Sequence, residues 1–500
     1  MSERGRGRTI QKVSIGDFLP LPEGKAQFPL EYMQANSVIK LREEEGSVVI
    51  GVCDSADPAL KESLRAFHRK DVVFREIDHS ELAVHLGRMI SSSSGSPSTA
   101  RSREEEKLLL DKLANDAPVV NLVNGILIEG IRAGASDIHV EAFKDQGCIR
   151  TRVDGVLRRA GVIERELFPA VSSRIKIMAN LNIMERRLPQ DGRLTVHLDS
   201  DVLDVRVSIM PIADGESIVL RLFNRESAPL TLEELGFSKE HLAALRRLSR
   251  LPHGLVLATG PTGSGKTTTL NAILRTIDAA SRKVITIEDP IEYLLKDIDQ
   301  VQTNDKIGLT FDSILRRVLR QDPDVIMVGE IRDTETAELA VRAALTGHLV
   351  LSTLHTNDSI SSVTRLRNMK VPPYLIAAVV RAVLAQRLVR RICRACRKRV
   401  RPNPLQRLLF EQAGVNAPWV YQGTGCDACD STGYRGRLAV VELFTSDARV
   451  EQMIMTEQPL AEISTYLAGR GMKPLLADGL AKIAGGETSF EEIERTVWLP

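Results

Sequence analysis

Aromatic side chains are scarce in this chain, with Phe, Tyr and Trp making up 4% of 500 residues. Neither sign of charge is in excess: 67 Lys and Arg face 65 Asp and Glu, for a formal net charge of +2. A total so close to neutral provides no global field that would gather nucleic acid. Long apolar runs are missing as well. The longest, Tyr374 to Gln386, is interrupted by Arg381 and is too short to cross a bilayer. The N-terminus, Met-Ser-Glu-Arg-Gly-Arg-Gly-Arg, has no apolar centre of a secretory signal, so a cytoplasmic location is expected. Disulfides are uncommon in that compartment, which makes the placing of the six cysteines informative.

Apolar residues are nonetheless 43% of the chain, enough for real cores, and the length suggests about three domains. Residues 1–90 mix short apolar runs such as Ser47-Val-Val-Ile-Gly-Val52 with a helical stretch over 57–70, and read as a small α/β N-terminal domain. Residues 91–115 are rich in Ser, Gly and Pro and then in charge (Arg103-Glu-Glu-Glu-Lys107). Such a segment buries no core and reads as a flexible linker. A second domain is expected over 116–230. Its helices are read at Val119–Ala133 and Phe168–Asn182, and alternating strands at Asp137–Glu141 and Cys148–Val153. A hairpin follows, with strands Val202–Ile209 and Ser217–Phe223 around Pro211–Glu216. From 231 to 390 strand and helix patterns alternate, which predicts an α/β domain on a parallel sheet. A cysteine-bearing module over 391–435 and a helical region over 436–500 complete the chain.

Gly260-Pro-Thr-Gly-Ser-Gly-Lys-Thr267 matches the phosphate-loop pattern in full, between an apolar strand (Leu255–Thr259) and a predicted helix (Thr267–Arg275). Glycines at 260, 263 and 265 let backbone N–H groups close around phosphate oxygens at a helix N-terminus. Lys266 would reach the β- and γ-phosphates and the Thr267 hydroxyl would hold Mg²⁺. The motif predicts binding of a nucleoside triphosphate, with Pro261, Thr262, Ser264 and Thr268 completing the cradle.

Strands predicted at Lys283–Asp289 and Asp324–Glu330 carry acids at their carboxyl ends, where ligands of open α/β sheets sit. Glu288 and Glu330 are the candidates for general base and for the carboxylate near Mg²⁺, with the assignment between them open. Asp289 and Glu292 are as consistent with solvated loop acids as with the site. The strand Gly347–His355 is bracketed by histidines, and His355, at the carboxyl edge, is the candidate for sensing the γ-phosphate or water. Arg316 and Arg320, four apart on a predicted helix, share a face. Arg206 and Arg221 would sit opposite each other on the hairpin, an unfavourable pairing of like charges unless an anion lies nearby.

Cys393-x-x-Cys396 and Cys426-x-x-Cys429 have the spacing of a closed tetrahedral Cys₄ zinc site, structural rather than catalytic, whereas Cys53 and Cys148 read as core cysteines. Arg381 to Arg401 holds nine basic residues and no acid. Base-stacking aromatics are absent from that stretch, so nucleic acid is not the expected partner; anionic lipid headgroups or an acidic protein face suit it.

Taken together, these motifs resemble the secretion ATPases of type II secretion systems, GspE-like proteins related to type IV pilus assembly ATPases. The likeness also rests on Ala135-Ser-Asp-Ile-His-Val140, Arg174-Ile-Lys-Ile-Met-Ala179, Leu188-Pro-Gln-Asp-Gly-Arg193 and the run Arg320–Asp333. It implies a RecA-like ATPase domain preceded by a PAS-like α/β domain and a small N-terminal docking domain, with a Cys₄ zinc module. It maps an Asp box onto 285–293, a Walker B strand onto 325–330, a His box onto 347–357, and phosphate-contacting arginines onto Arg206, Arg221, Arg316 and Arg320. It further implies ATP hydrolysis with Mg²⁺, structural Zn²⁺ and a homohexamer on the cytoplasmic face of the inner membrane. That hexamer would bind a GspL-type protein through its N-terminal domain and a platform protein of GspF type, and would drive pseudopilus assembly and protein export. Pilus extension is the alternative, and nucleic-acid translocation a more distant one.

Overall fold

The computed structural model describes residues 11–22, 27–28, 32–33, 36–44, 46–53, 58–68, 70–92, 112–198, 201–223 and 230–497. The chain divides into two compact units, residues 1–223 and 224–500. Most of the expected linker, including the charged run at 103–107, lies outside the described residues. Among the described residues no helix is long and apolar enough to cross a membrane.

The first unit opens with a three-stranded sheet, β1 (Val38–Glu43), β2 (Ser47–Val52) and β3 (Asp71–Glu76), accompanied by helices α1 (Pro58–Phe67) and α2 (His79–Ser92). A six-stranded antiparallel sheet follows in the order β6-β5-β4-β9-β8-β7. Its strands are β4 (Ala135–Ala142), β5 (Gln146–Val153), β6 (Val156–Glu164), β7 (Gln190–Leu198), β8 (Asp201–Ile212) and β9 (Gly215–Phe223). Two-residue alternation sorts their side chains. Ile138, Val140, Val205, Val207 and Leu220 pack in one core with α3 (Ala117–Arg132) and α4 (Phe168–Met178), so Asp137, Arg206 and Arg221 fall on the other face. Helix α4 stops four residues short of the expected Asn182, because Asn180 takes a left-handed φ of +55° that ends the helical path. The hairpin turn is likewise tighter than expected, just Ala213-Asp214.

The second unit is built on a seven-stranded sheet, order β12-β11-β13-β14-β10-β15-β18. Strands β10 (Gly254–Thr259), β11 (Val284–Glu288), β12 (Asp299–Gln302), β13 (Val325–Val328), β14 (Leu349–Leu354) and β15 (Val380–Ile392) are parallel, as the alternating pattern predicts. Both faces are buried. Leu255 and Leu257 point into one core with α7 (Phe311–Val318) and α8 (Thr334–Leu345), while Val256 and Ala258 point into another with α6 (Lys266–Leu274) and α5 (Lys239–Leu248). After α9 (Ser361–Asn368), the apolar stretch from Tyr374 divides at Val379, between helix α10 (Pro373–Val379) and β15.

The region from 436 onward, expected to be helical, starts inside a long strand, β18 (Tyr434–Thr445), antiparallel to β15. Only then come helices α12 (Ala448–Met455), α13 (Leu460–Gly469), α14 (Leu475–Ala484) and α15 (Phe490–Thr496). Between β15 and β18 the cysteine module forms a small ribbon, β16 (Arg397–Val400) with β17 (Val420–Gly423), and helix α11 (Pro404–Gln412).

Candidate functional site

Strands β10, β11, β13 and β14 end level with one another, Thr259 opposite Leu354 and Val328 opposite both Ile287 and Ser352. The four segments that leave them therefore emerge side by side at the sheet's carboxyl edge. There, Thr262, Gly263, Lys266, Thr267, Glu288, Glu330 and His355 line one cleft of about 260 Å³.

Gly260, Gly263 and Gly265 take φ of +148°, +77° and +84°, a region that L side chains disfavour, so the loop has the conformation that turns N–H groups inward. Helix α6 starts at Lys266, directly behind it. Lys266 is buried, its ammonium donating to the Gly260 and Pro261 carbonyls at 2.9 and 3.0 Å. Burial pulls its pKa down to about 8, against the opposing field of Glu330. Ser264 Oγ is buried without a hydrogen-bond partner. A hydroxyl so placed, beside a charged ammonium and the N-terminus of a helix, fits a polyphosphate.

Glu288 is 2% exposed. One oxygen accepts from the Thr286 hydroxyl at 2.7 Å and from Gln300 Nε2 at 2.9 Å, whereas its Oε2 is buried with no partner. Burial raises its pKa above the ordinary carboxylate value. Glu330 lies two residues beyond β13, paired with Arg332 and 3.5 Å from His355 Nε2. Burial, then the Lys266 charge, hold the His355 pKa below its ordinary value, so the imidazole is neutral near pH 7. The cleft thus holds a cationic loop, a buried carboxylate with one unpartnered oxygen and a second carboxylate 3.5 Å from a neutral histidine. Such a set can hold a Mg²⁺-nucleotide and order water beside its terminal phosphate.

Other expected residues fall elsewhere. Arg316 and Arg320 are exposed and do not line this cleft. They also do not share a helix: α7 ends at Val318, with Leu319 as its cap, and the chain turns further on at Asp322, with φ of +53°. Arg206 and Arg221 belong to the first unit and are register partners on β8 and β9, with Arg193 opposite Arg206 on β7. Asp137 lies opposite Arg221 on β4 and accepts from its Nε at 2.8 Å. His348 sits at the amino edge of the sheet, Nδ1 2.9 Å from the Ala343 carbonyl. Conversely, Asp289, Glu292, Phe311, Arg332 and Thr353 join the cleft lining. Of these, Arg332 was signalled by its place in Gly329-Glu-Ile-Arg332, and Phe311 by nothing in the local sequence.

The four module cysteines converge. All their sulfurs lie within 4.8 Å of one another, with Cys393 and Cys426 at 3.9 Å, Cys396 and Cys429 at 3.9 Å, and Cys426 and Cys429 at 3.7 Å. Four thiolates about 2.3 Å from one ion would stand about 3.8 Å apart, so the donor set and spacing fit tetrahedral zinc. The backbone N–H groups of Cys426 and Gly433 donate to Cys429 Sγ at 3.3 and 3.2 Å, the second shell such a site needs. The basic stretch around the module has partners that are distant in sequence. Arg390 is held by the buried Glu492 at 2.6 Å, Arg397 and Arg399 lie over Tyr421, and Arg401 lies over Trp419.

Fold and cleft define a phosphate-loop nucleotide-binding protein of the parallel α/β class, with a Cys₄ module attached to its sheet. The family model of type II/IV secretion system proteins matches residues 112–495, and a MshEN domain model matches residues 8–96. The chain belongs to the type II/IV secretion system protein family. It is 41% identical over 491 residues to the type II secretion system protein E of Dickeya dadantii, covering 95% of this chain and 97% of that one. It is 38% identical over 501 residues to the type IV pilus assembly ATPase PilB of Myxococcus xanthus, covering 97% and 88%. The X-ray structure of the Legionella pneumophila ATPase DotB shares the fold, with a TM-score of 0.56 and 22% identity over 75% of this chain and 94% of that one.

Proposed function

We propose that this protein is the ATPase of a type II secretion system, hydrolysing ATP to drive pseudopilus assembly and protein export across the outer membrane. The observation that carries the reading is the convergence of Lys266, Thr267, Glu288, Glu330 and His355 on one cleft at the sheet's carboxyl edge. The nucleotide binds with Mg²⁺, which neutralises charge developing on the phosphates. Loop residues 260–267 hold the phosphates, Lys266 transfers its ammonium to them from the Gly260 and Pro261 carbonyls, and the Thr267 hydroxyl holds the metal. Glu288 Oε2, buried and unpartnered, takes the proton of the attacking water. Glu330 orients His355 toward the terminal phosphate. Arg206 and Arg221, with Arg316 and Arg320, supply further positive charge as the ring closes on the nucleotide. Cys393, Cys396, Cys426 and Cys429 would hold Zn²⁺, which would fix the module. The chain works as a homohexamer on the cytoplasmic face of the inner membrane, docked through residues 1–90 to a GspL-type protein and on a GspF-type platform, with its basic module toward acidic protein or lipid.

Near-full-length likeness to a pilus assembly ATPase makes pilus extension the second reading. One experiment separates them: replace the chain by its Lys266→Ala form in its own host and assay extracellular protein and surface pili. Lost secretion with intact pili is the expected result, and the reverse pattern transfers the function to pilus assembly.

A further inference from the structure

The phosphate loop is backed by residues far along the chain that do not themselves line the cleft. β15 pairs with β10 as far as Ala385, opposite Thr259. It then continues beyond the end of β10, still paired with β18, to Ile392 opposite Tyr434. Gln386, the first residue past that point, is completely buried. Its Nε2 donates to the Ser264 carbonyl at 2.8 Å, and its Oε1 accepts from the Thr269 hydroxyl at 2.8 Å. Both ends of the amide are thus bound to the phosphate loop and the first turn of α6. The contact is close. A Cβ on Gly260 would come within 2.5 Å of the Gln386 carbonyl oxygen, and one on Gly265 within 2.8 Å of Gln386 Nε2. Glycine is required there by this strand as well as by backbone angle.

The neighbouring strand does the same for the histidine side of the cleft. Glu442, on β18 and opposite Ala385, is 7% exposed. It accepts from the Ser359 N–H at 2.9 Å and from the Ser359 hydroxyl. Ser359 closes the short segment that starts at His355. Along the way, the Thr356 N–H donates to Thr259 Oγ1 at 2.8 Å, and Arg387 donates to the Asn357 carbonyl at 2.8 Å. The segment is therefore tied in turn to the end of β10 and to interior positions of β15 and β18.

A buried carboxylate and a buried amide both cost solvation, and apolar residues would complete this core at lower cost. We infer that Gln386 and Glu442 are positioning residues for ATP hydrolysis: Gln386 sets the phosphate loop and Glu442 sets the segment that carries His355. The inference rests on the reading of the cleft as an ATPase site. Since the two residues lie on paired strands of one hairpin, whose far end carries the Cys₄ cluster, a movement of that hairpin shifts both halves of the cleft together.

The test uses the full-length chain and three readouts: binding of a fluorescent ADP analogue, Mg²⁺-ATP turnover, and hydrogen exchange over residues 355–360. Thr269→Val removes one of the two bonds to the Gln386 amide and Gln386→Leu removes both; each weakens ADP binding, Gln386→Leu by about tenfold or more. Glu442→Ala keeps ADP binding within about twofold, lowers kcat about tenfold and speeds exchange over 355–360. Glu442→Gln retains an accepting oxygen and recovers most of that loss. A purely structural role would instead lower ADP binding and turnover together, in step with a separately measured thermal stability, in every variant; that pattern overturns the inference. Wild-type ADP affinity in Gln386→Leu and Thr269→Val overturns it too, as does wild-type exchange in Glu442→Ala. A chain that binds ADP but turns over no ATP removes the hydrolysis reading alone, and ADP binding and exchange then still decide between the two roles.

Discussion

His355 Nε2 stands 3.5 Å from Glu330 Oε2, joining the residue that follows β14 to the acid that follows β13. The contact spans 25 positions of sequence, 355 minus 330, and exists because both strands end at the same level of the sheet. With its pKa held below the ordinary value, His355 faces Glu330 as a neutral ring rather than as an ion-pair partner. In the proposed mechanism its role is to point, not to neutralise. His355→Ala should lower kcat about 10²-fold, as losing one positioned polar group in a transition state does, while ADP affinity stays within about twofold. Steady-state kinetics beside equilibrium ADP binding check the split.

Lys266 yields a pH prediction. Its pKa near 8 in the nucleotide-free chain means that the ammonium loses its proton as pH rises through about 8. Phosphate binds the charged form, so nucleotide affinity should be constant below that value and fall above it. Lys266→Arg, which stays charged, should flatten the profile even where its longer side chain weakens binding. Titration of ADP binding from pH 6.5 to about 9.5 tests this.

Glu288 gives the opposite limb. Burial raises its pKa, and it accepts a proton only when ionised. Lowering the pH therefore protonates it earlier than a solvated glutamate, and kcat/KM should fall on the acid side from a point above the usual carboxylate range. Glu288→Gln should lower turnover by about 10²-fold or more and abolish that limb. A limb that persists in Glu288→Gln would move the proton-accepting role to Glu330.

The Cys₄ cluster predicts one zinc per chain. Cys396→Ser, or a strong chelator, should release the ion and lower Tm, by about 2–4 °C for each kcal/mol lost in a unit of this size. Metal content by atomic emission, measured beside thermal melting, checks it.

The local features of this chain were readable without the structure. The phosphate loop, the two Cys-x-x-Cys pairs and the acids at strand ends each depend on spacing of a few residues. What was not readable depends on pairing across long separations. Gln386 meets Thr269 across 117 positions and Glu442 meets Ser359 across 83, and no local pattern marks either residue. The strand β18 was misread as helix because its short apolar run, Leu438-Ala-Val-Val441, fits either state until β15 pairs with it. The helix containing Arg316 was read past its end because Arg320 keeps the i,i+4 spacing, while the helix is already capped at Leu319. The aromatic rings beneath Arg397, Arg399 and Arg401 come from Trp419 and Tyr421, on the other side of the cysteine module's helix.

Turnover of the purified full-length chain with and without Mg²⁺, beside Lys266→Ala, decides whether this cleft hydrolyses ATP. The wild type should release phosphate in a Mg²⁺-dependent way, with a loss of about 10²-fold or more in Lys266→Ala. Equal phosphate release by the two proteins would contradict hydrolysis in this cleft.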